Sequence, residues 1–276
     1  MKKFLFFALI GIFAMSCEKN PPLEIIASGY CGAQGDNLTW ILTEDSVLTI
    51  SGSGDMAEYG PWMAIGGSFG SNAPWWLHYR DFIKTVVIED GVTNIGGYAF
   101  AILDELTSVT IGNSVTTIGM QAFQESRNLT SVIIGNSVTT IERSAFFGCV
   151  NLTSVTIPNS VKIIEDMAFM HCYYLTSVAI GNGVTTIGRL AFTGCHHLTS
   201  LIIGYNVTTI GELAFSSSRN LTSITSFALI PPNLERSVFD WVDTETCILR
   251  VPTGSIELYR NAQGWQDFQN IVAIQD

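Results

Sequence analysis

Charged residues are scarce in this sequence. Only 13% of its 276 residues are Asp, Glu, Lys or Arg, and 13 basic residues stand against 24 acidic ones, for a formal net charge of −11. A chain of this charge repels a phosphate backbone, so we expect no nucleic-acid partner. The shortage of charge does not indicate disorder, because 47% of the residues are hydrophobic and can bury a large core.

Motifs for catalysis are also scarce. The sequence contains no HExxH helix and no Walker-type loop, and no serine has a nearby histidine in a recognised setting. We therefore predict a protein that is not an enzyme and needs no cofactor. A hydrolase with an unrecognised site is a lesser alternative. The pocket of such an enzyme would lie in the aromatic-rich segment from Tyr59 to Trp76. We interpret this segment instead as a hydrophobic lid on the first repeat.

Long hydrophobic runs are missing except at the N-terminus. There, Lys2 and Lys3 precede an apolar run from Phe4 to Phe13, and Cys17 follows shortly after. This pattern predicts an export signal, since a membrane-spanning helix needs about 20 apolar residues. The placement of Cys17 resembles the lipidation site of a bacterial lipoprotein signal. The resemblance implies export and a lipid anchor in the outer membrane, and we expect exposure on the cell surface. An orientation toward the periplasm stays open.

A fixed period of 23 residues runs through the middle of the chain. An Ala-Phe pair recurs six times at this interval, and a leucine six residues after each phenylalanine recurs with it. The phenylalanines are Phe100, Phe123, Phe146, Phe169, Phe192 and Phe215, and a degenerate seventh unit has Phe239 one residue late. A constant period in the twenties predicts a solenoid, because one unit cannot enclose its own apolar side chains and neighbours must stack.

Each unit is predicted to contain two short strands joined by turns. In the unit 129–151, LTSVIIGNSVTTIERSAFFGCVN, the spacing of Leu129, Val132 and Ile134 predicts a strand whose other face carries Ser131 and Ile133. A Gly-Asn-Ser turn follows, then a second β-prone stretch. Residues 143–147 are predicted to form one helical or 3-10 turn that places the Ala-Phe pair in the core.

The repeat resembles a known family. The pattern LTSVTIPNSV..I...AF.GC..L is followed closely from 106 to 220 and resembles the BspA-like leucine-rich repeat family of bacterial surface proteins. Residues 31–56 with the segment from 74, and residues 248–271, are similar to that family's two caps. The resemblance implies an α/β leucine-rich-repeat solenoid, β-dominated, with 23-residue repeats of parallel strands and short helical or 3-10 turns. An N-terminal β region and a C-terminal strand-helix-strand region would cap it.

The resemblance also implies a domain plan and a role. The plan is a signal peptide at 1–17, a tether at 18–28, an N-terminal β cap at 29–82, repeats at 83–244 and a C-terminal cap at 245–276. The role is that of an adhesin-like, non-enzymatic binding protein with a protein or glycan partner, such as one in host extracellular matrix. It would touch the membrane only through its N-terminal lipid. The alternative is a structural or accessory lipoprotein of a periplasmic or outer-membrane complex.

The binding surface is predicted on the outward face of the first strand and its border. The outward positions carry little charge and little bulk, and they read Thr110, Ile133, Thr156, Ala179 and Ile202 in successive units. The last two positions of each unit vary although the core positions hardly do, and the candidates there are Arg127, Tyr173, Tyr174, His196, His197 and Arg219. Tyr and Arg are enriched in binding hot spots, and the long face of a solenoid is the usual place for them.

Cysteines recur with the period as well. Cys149, Cys172 and Cys195 share one position, which Ser126 and Ser218 hold in flanking units, and Cys31 and Cys247 lie in the caps. We expect a ladder of buried thiols that covers loop backbone. A disulfide between rungs is less favoured because stacked Cβ vectors are parallel. A zinc site is disfavoured for the same reason, since a tetrahedral site needs converging side chains. Its candidate ligands would be His171, Cys172, Cys195, His196 and His197.

Overall fold

The computed structural model describes residues 23–63 and 69–275. The predicted signal peptide, Cys17 and the beginning of the tether lie outside the described residues. The chain forms a parallel-strand solenoid of about 8 turns, with repeats of about 23 residues. The predicted fold class is confirmed, and within it the side of the coil that was expected to be helical has a different structure.

One side of the solenoid is a sheet of parallel strands, one from each coil. Equivalent residues pair 23 positions apart, as Thr110 does with Ile133 and Ala179 with Ile202. The 23-residue period of the sequence therefore sets the register in which neighbouring strands pair. These strands are β7 (Thr85–Ile88), β9 (Ser108–Ile111), β11 (Ser131–Ile133), β13 (Ser154–Ile157), β15 (Ser177–Ile180), β17 (Ser200–Ile203) and β19 (Ser223–Ser226).

A second parallel sheet forms the adjoining side. It continues without a break from the N-terminal cap to the last coil. Its strands are β4 (Gly54–Asp55), β8 (Val92–Ile95), β10 (Thr117–Ile118), β12 (Thr140–Ile141), β14 (Ile163–Ile164), β16 (Thr186–Ile187), β18 (Thr209–Ile210) and β20 (Asn233–Leu234). Threonines before both sets of strands donate their hydroxyls to the preceding coil, as Thr176 Oγ1 does to Thr153 O at 2.9 Å. The abundant Thr thus satisfies backbone acceptors along both sheets.

The first sheet is interrupted between β11 and β13. Pro158 follows β13 at a position that Gly112, Gly135, Gly181 and Gly204 occupy in other coils. The amide of Gly112 donates to Ile88 O at 2.8 Å, and a proline has no such donor. The coil of Pro158 lacks this donor, and the strands on either side of the break belong to two six-stranded sheets.

The third side of each coil is a run of turns rather than the predicted helical or 3-10 segment. In the coil that contains Ser144, alternate amides bond within the coil, as Phe147 N does to Ser144 O at 3.0 Å. The intervening amides bond to the next coil, as Ser144 N does to Asp166 O at 3.0 Å and Phe146 N to Ala168 O at 2.7 Å. This alternation excludes a helix, in which every amide bonds along its own axis.

The alternation requires two left-handed residues in each coil. Their φ values lie between 55° and 77°, and most of the residues are not glycine. Ile102 at 55° is β-branched and thus unusual in this region. The first set is Tyr98, Gln121, Ser144, Met167, Leu190, Leu213 and Ser237, and the second set is Ile102, Glu125, Gly148, His171, Gly194, Ser217 and Trp241.

The core is a stack of rings along the solenoid axis. Phe100, Phe123, Phe146, Phe169, Phe192 and Phe215 are all fully buried. Neighbouring rings lie about 5 Å apart and nearly parallel, as at 5.0 Å and 3° between Phe169 and Phe192. Phe239, one residue late in the sequence, still stacks on Phe215 at 5.8 Å. Leu, Val and Ile of the two sheets surround the stack.

The N-terminal cap is mainly antiparallel. Strands β1 (Ile25–Gly32), β2 (Gly35–Thr43) and β3 (Val47–Gly52) form a meander, and β3 then pairs in parallel with β7. Strand β1 begins before the expected end of the tether because Ile25 pairs with Thr43. A hairpin of β5 (Pro61–Met63) and β6 (Phe69–Ser71) and a short helix α1 (Trp76–Tyr79) complete the cap.

The C-terminal cap has the expected strand-helix-strand order. Strand β21 (Ile248–Val251) pairs with β19, a 3-10 turn spans Thr253–Ser255, helix α2 covers Ile256–Asn261, and β22 (Asn270–Ala273) closes the sheet. The rings of Trp265 and Phe268 lie 5.4 and 5.3 Å from Phe239. They cover the end of the aromatic stack.

Candidate binding surface

The outward side of strands β7 to β19, called here the strand face, carries the predicted contact residues. Thr110, Thr156 and the two isoleucines Ile133 and Ile202 are exposed, and Ala179 is half-buried. The isoleucines are 64% and 39% accessible, although the positions around them carry Ser, Thr and Ala. Two apolar side chains are thus presented on a face of small polar ones.

The interruption beside Pro158 divides this face. Ile133 belongs to the last strand before the break and Thr156 to the first strand after it. Val132 is half-buried, whereas the equivalent Val109 and Val155 are buried. A shallow depression of about 350 Å³ spans the break, and its lining includes Asn136 on one side and Thr156, Pro158 and Ala179 on the other. The strand face is therefore not uniform along its length.

The last two positions of each coil, called here the rim, carry ordered rings. Tyr174 and His197 stack at 4.9 Å and 20°, and Tyr173 lies 5.1 Å from His196. Each pair joins neighbouring coils, so the stacking follows from the period of 23. The remaining rim arginines also have partners. Arg127 Nε is 2.9 Å from Glu125 Oε2, and the guanidinium of Arg219 lies 5.4 Å from the ring centre of Trp241.

The rim is anchored to backbone on its inner side. His196 Nδ1 is 2.9 Å from Ser217 O, and the amide of Asn220 donates to His196 O at 2.9 Å. His197 N donates to Tyr173 O at 3.1 Å. His196 is consequently half-buried and oriented, while Tyr173, Tyr174 and His197 stay exposed.

His171, considered from the sequence only as a disfavoured zinc ligand, extends this cluster inward. Its ring stacks on Tyr173 at 5.6 Å and meets Phe147 edge to face at 5.6 Å. Its Nδ1 is buried and has no hydrogen-bond partner among the described residues. Burial lowers the pKa of His171, the charge of His196 lowers it further, and Glu125 acts in the opposite direction. Burial and His196 together therefore favour the neutral form of this imidazole.

The cysteine ladder is confirmed as a set of buried thiols. Cys149 Sγ donates to Phe123 O at 3.2 Å, and Cys172 and Cys195 make the same bond at 3.4 and 3.5 Å. Ser126 Oγ donates to Phe100 O at 2.8 Å in the equivalent place. Burial raises the pKa of each thiol, to about 12 for Cys195 and Cys31 and about 11 for Cys247. All five cysteines of the described chain are free.

The thiols and the imidazoles are kept apart. Cys172 and Cys195 point into the core, whereas His196 and His197 lie on the rim. Across residues 23–63 and 69–275, no three His, Cys, Asp or Glu side chains are grouped so that they could hold a metal ion. Each position of the repeat points in the same direction in every coil. The thiols therefore all point into the core, and the rim imidazoles all lie at the surface.

The aromatic segment from Tyr59 to Trp76 is a lid over the first coil where it is described. Trp75 and Trp76 are buried, and the Trp75 ring stacks on Phe100 at 5.2 Å. Residues 66–70, GGSFG, have the spacing of a GxSxG nucleophile motif, but Ser68 lies outside the described residues. That motif requires a helix directly after the serine, whereas strand β6 begins at Phe69.

One exposed feature was not expected from the sequence. Trp241, in the degenerate last coil, is 70% accessible and borders a cleft of about 660 Å³ against the C-terminal cap. Its position holds Ile, Glu, Gly, His, Gly and Ser in the earlier coils. The sequence contained one signal of this feature. Trp241 stands at a position where the earlier coils carry smaller side chains.

Parallel strands at a period of 23 residues, a Leu and Phe core and a long outward strand face define a leucine-rich-repeat solenoid. The family model described as BspA type Leucine rich repeat region matches residues 77–162 and 116–241, with 6 copies. These matches span more than half of the chain, so the protein belongs to this family. BspA-like proteins are typically proteins of the bacterial surface.

A solved structure agrees with the fold. A Leucine Rich Repeat protein of T. pallidum matches with a TM-score of 0.50 and 24% identity, over 70% of this chain and 83% of that chain. A leucine-rich repeat protein from Eubacterium ventriosum matches with a TM-score of 0.36 and 21% identity, over 90% and 85%. No curated protein matches the chain. Within the described residues, no helix has the length and apolarity to cross a membrane.

Proposed function

We propose that this protein is a non-enzymatic, adhesin-like binding protein, exported and anchored to the outer membrane through lipidated Cys17, with its solenoid on the cell surface. Its partner is a protein or a glycan, such as a component of host extracellular matrix. The observation that supports this most is the rim, where Tyr173, Tyr174, His196 and His197 are stacked in pairs between coils.

Stacking matters because it reduces the cost of binding. An exposed tyrosine on a mobile loop would lose side-chain freedom on contact with a partner, whereas these rings are already ordered. The strand face beside them adds a second contact area of small side chains with Ile133 and Ile202 exposed. Affinity would then come from many modest contacts on a preformed surface, which is the mode of binding that solenoids favour.

Two experiments test the proposal. In the first, intact cells are treated with protease: loss of the protein together with a known surface protein supports surface display, and survival of the protein contradicts it. In the second, purified residues 23–276 are applied to matrix laid down by cultured epithelial cells. Saturable binding supports the adhesin role, and deglycosylation of the matrix separates glycan from protein recognition.

The alternative is an accessory lipoprotein of a periplasmic or outer-membrane complex. Cross-linking in native membranes followed by purification would then recover bacterial envelope proteins, and the purified protein would not bind the matrix. That pair of results would replace the adhesin proposal.

A further inference from the structure

The turn side of the solenoid has a direction, and its two ends differ. In each coil three alternate amides donate to three carbonyls of the next coil. Leu213, Phe215 and Ser217 donate to Arg236 O, Val238 O and Asp240 O at 3.0, 3.0 and 2.8 Å. The first coil therefore has carbonyls to which no preceding coil donates a hydrogen bond. The last coil has amides for which no following coil supplies an acceptor.

The N-terminal cap satisfies the carbonyl end completely. The acceptors equivalent to those above are Gly97 O, Ala99 O and Ala101 O. Tyr59 N donates to Gly97 O at 3.1 Å. The indole groups of Trp75 and Trp76 donate to Ala99 O and Ala101 O, each at 2.9 Å. Two buried tryptophans thus replace the missing coil, one for each inner carbonyl.

The C-terminal cap leaves the amide end open. The equivalent donors are Ser237 N, Phe239 N and Trp241 N, and within residues 23–63 and 69–275 none of them donates a hydrogen bond. The cap covers the Phe239 ring with Trp265 and Phe268 but does not supply carbonyls to these amides. Unpaired donors in a regular row are a template for pairing with another chain.

The cleft lies along this row. It is lined by residues 234 to 242 on one side and by Gln263, Gly264, Gln266 and Asp267 on the other. Its volume of about 660 Å³ falls within the range of ligand sites, about 300 to 1,000 Å³. The open amides and the cleft therefore belong to one feature of the molecule.

The chemistry of the cleft selects among possible ligands. Three carboxylates, Glu235, Asp240 and Asp267, and one guanidinium, Arg236, line it. The amides require acceptor atoms, and the excess of carboxylates disfavours phosphate or a carboxylate ligand. The carbonyls of residues 236, 238 and 240, in a run of turns, pair with a row of this kind, and in an extended polypeptide the carbonyls of alternate residues likewise point to the same side.

We infer that this cleft is a second binding site, which captures an extended, lysine- or arginine-bearing polypeptide segment by backbone pairing with Ser237, Phe239 and Trp241. The segment takes the place of a further coil, and its basic side chains meet Asp240 and Asp267. This is strand-addition recognition, in which backbone bonds supply affinity and side chains supply selectivity. The site adjoins the rim through the contact of Arg219 with Trp241 but shares none of the contact residues predicted on the strand face or the rim, so its failure would leave the proposed function standing.

The test is a titration of ¹⁵N-labelled residues 23–276, followed by NMR. The probes are the blocked peptide acetyl-Lys-Thr-Lys-Thr-Lys-Thr-Lys amide, the same peptide with Glu for Lys, and cellohexaose. We expect the basic peptide to shift the amide resonances of residues 237, 239 and 241 and to slow their hydrogen exchange, while the resonances of residues 213, 215 and 217 stay unchanged.

The double variant Asp240→Lys, Asp267→Lys should weaken binding of the basic peptide roughly tenfold. Asp36→Lys with Asp104→Lys changes net charge equally and should not.

Several results would overturn the inference. One is the absence of any shift at the three amides with the basic peptide at millimolar concentration. Another is equal binding of the acidic peptide, which would remove the role of the carboxylates. A third is a response to cellohexaose alone that is lost in Trp241→Ala, which would make the cleft a sugar site.

Discussion

The indole nitrogen of Trp75 donates to the carbonyl of Ala99 at 2.9 Å, and the same indole ring stacks on Phe100 at 5.2 Å. One side chain therefore ends both the aromatic stack and the row of turn carbonyls. We expect Trp75→Phe to keep the stacking but leave a buried carbonyl unpaired, which costs about 1–3 kcal/mol of unfolding free energy. Denaturant unfolding measures this. Trp241→Phe, at an exposed ring, is the control, and equal losses in the two variants would contradict the capping role.

The ring stack is expected to be the main source of stability along the solenoid. Phe169 is fully buried, with Phe146 and Phe192 each 5.0 Å away. Phe169→Ala should lower the unfolding free energy by about 3–5 kcal/mol, because it removes a large ring and leaves a cavity in the middle of the stack. Ile202→Ala on the strand face should cost less than about 0.5 kcal/mol. Similar losses for both variants would contradict the ring stack as the main source of stability.

The five described thiols should not react in the folded protein. Burial raises the pKa of Cys247 to about 11 and of Cys31 and Cys195 to about 12, so almost no thiolate exists near neutral pH. We expect Ellman's reagent to leave residues 23–276 unmodified until denaturant is added, after which five thiols react. Cys195→Ser should fold normally, because Ser126 makes the same bond. Rapid modification of the folded protein would contradict a buried ladder.

Stability should fall in mild acid because of His171. Desolvation first, and His196 second, lower the pKa of this imidazole below its ordinary value of 6.5. The unfolded chain then binds the proton more tightly than the folded one, so stability is complete above pH 6.5 and decreases as the pH falls below it. His171→Asn should reduce the drop in Tm between about pH 7.5 and about pH 5, since Asn tolerates the left-handed backbone at this position. His78→Asn, at an exposed site, should not. An unchanged drop in His171→Asn would exclude this group as the cause.

The sequence was sufficient to predict the repeat and its core, because both depend on local spacing. Every Ala-Phe phenylalanine from Phe100 to Phe215 is buried, and Ile133 points outward as its alternation predicted. The turn side was predicted less well. Residues such as Ile102 and Leu190 have ordinary side chains for their positions, and their left-handed backbone follows from bonds to the next coil. Pairing between coils is not visible in a single unit.

The surface features outside the repeat pattern were the hardest to predict. The break in the first sheet lies beside Pro158 and appears only when neighbouring coils are stacked. The cleft beside Trp241 exists because no coil follows the last one. The rim residues Tyr174 and His197 were identified by their variation, and their stacking across coils became apparent only in the structure.

The binding role of the strand face and rim is tested most directly with matched pairs of surface variants. Ile202 and Tyr174, on the strand face and rim, are 39% and 50% accessible, and Ile163 and Tyr205, outside both, are 41% and 54% accessible. The double variant Ile202→Ala, Tyr174→Ala should bind epithelial-cell matrix at least about tenfold more weakly than the unaltered protein. The double variant Ile163→Ala, Tyr205→Ala removes the same chemistry elsewhere and should bind normally. Equal binding by the two double variants, or loss in the second alone, would contradict a binding surface on this face of the solenoid.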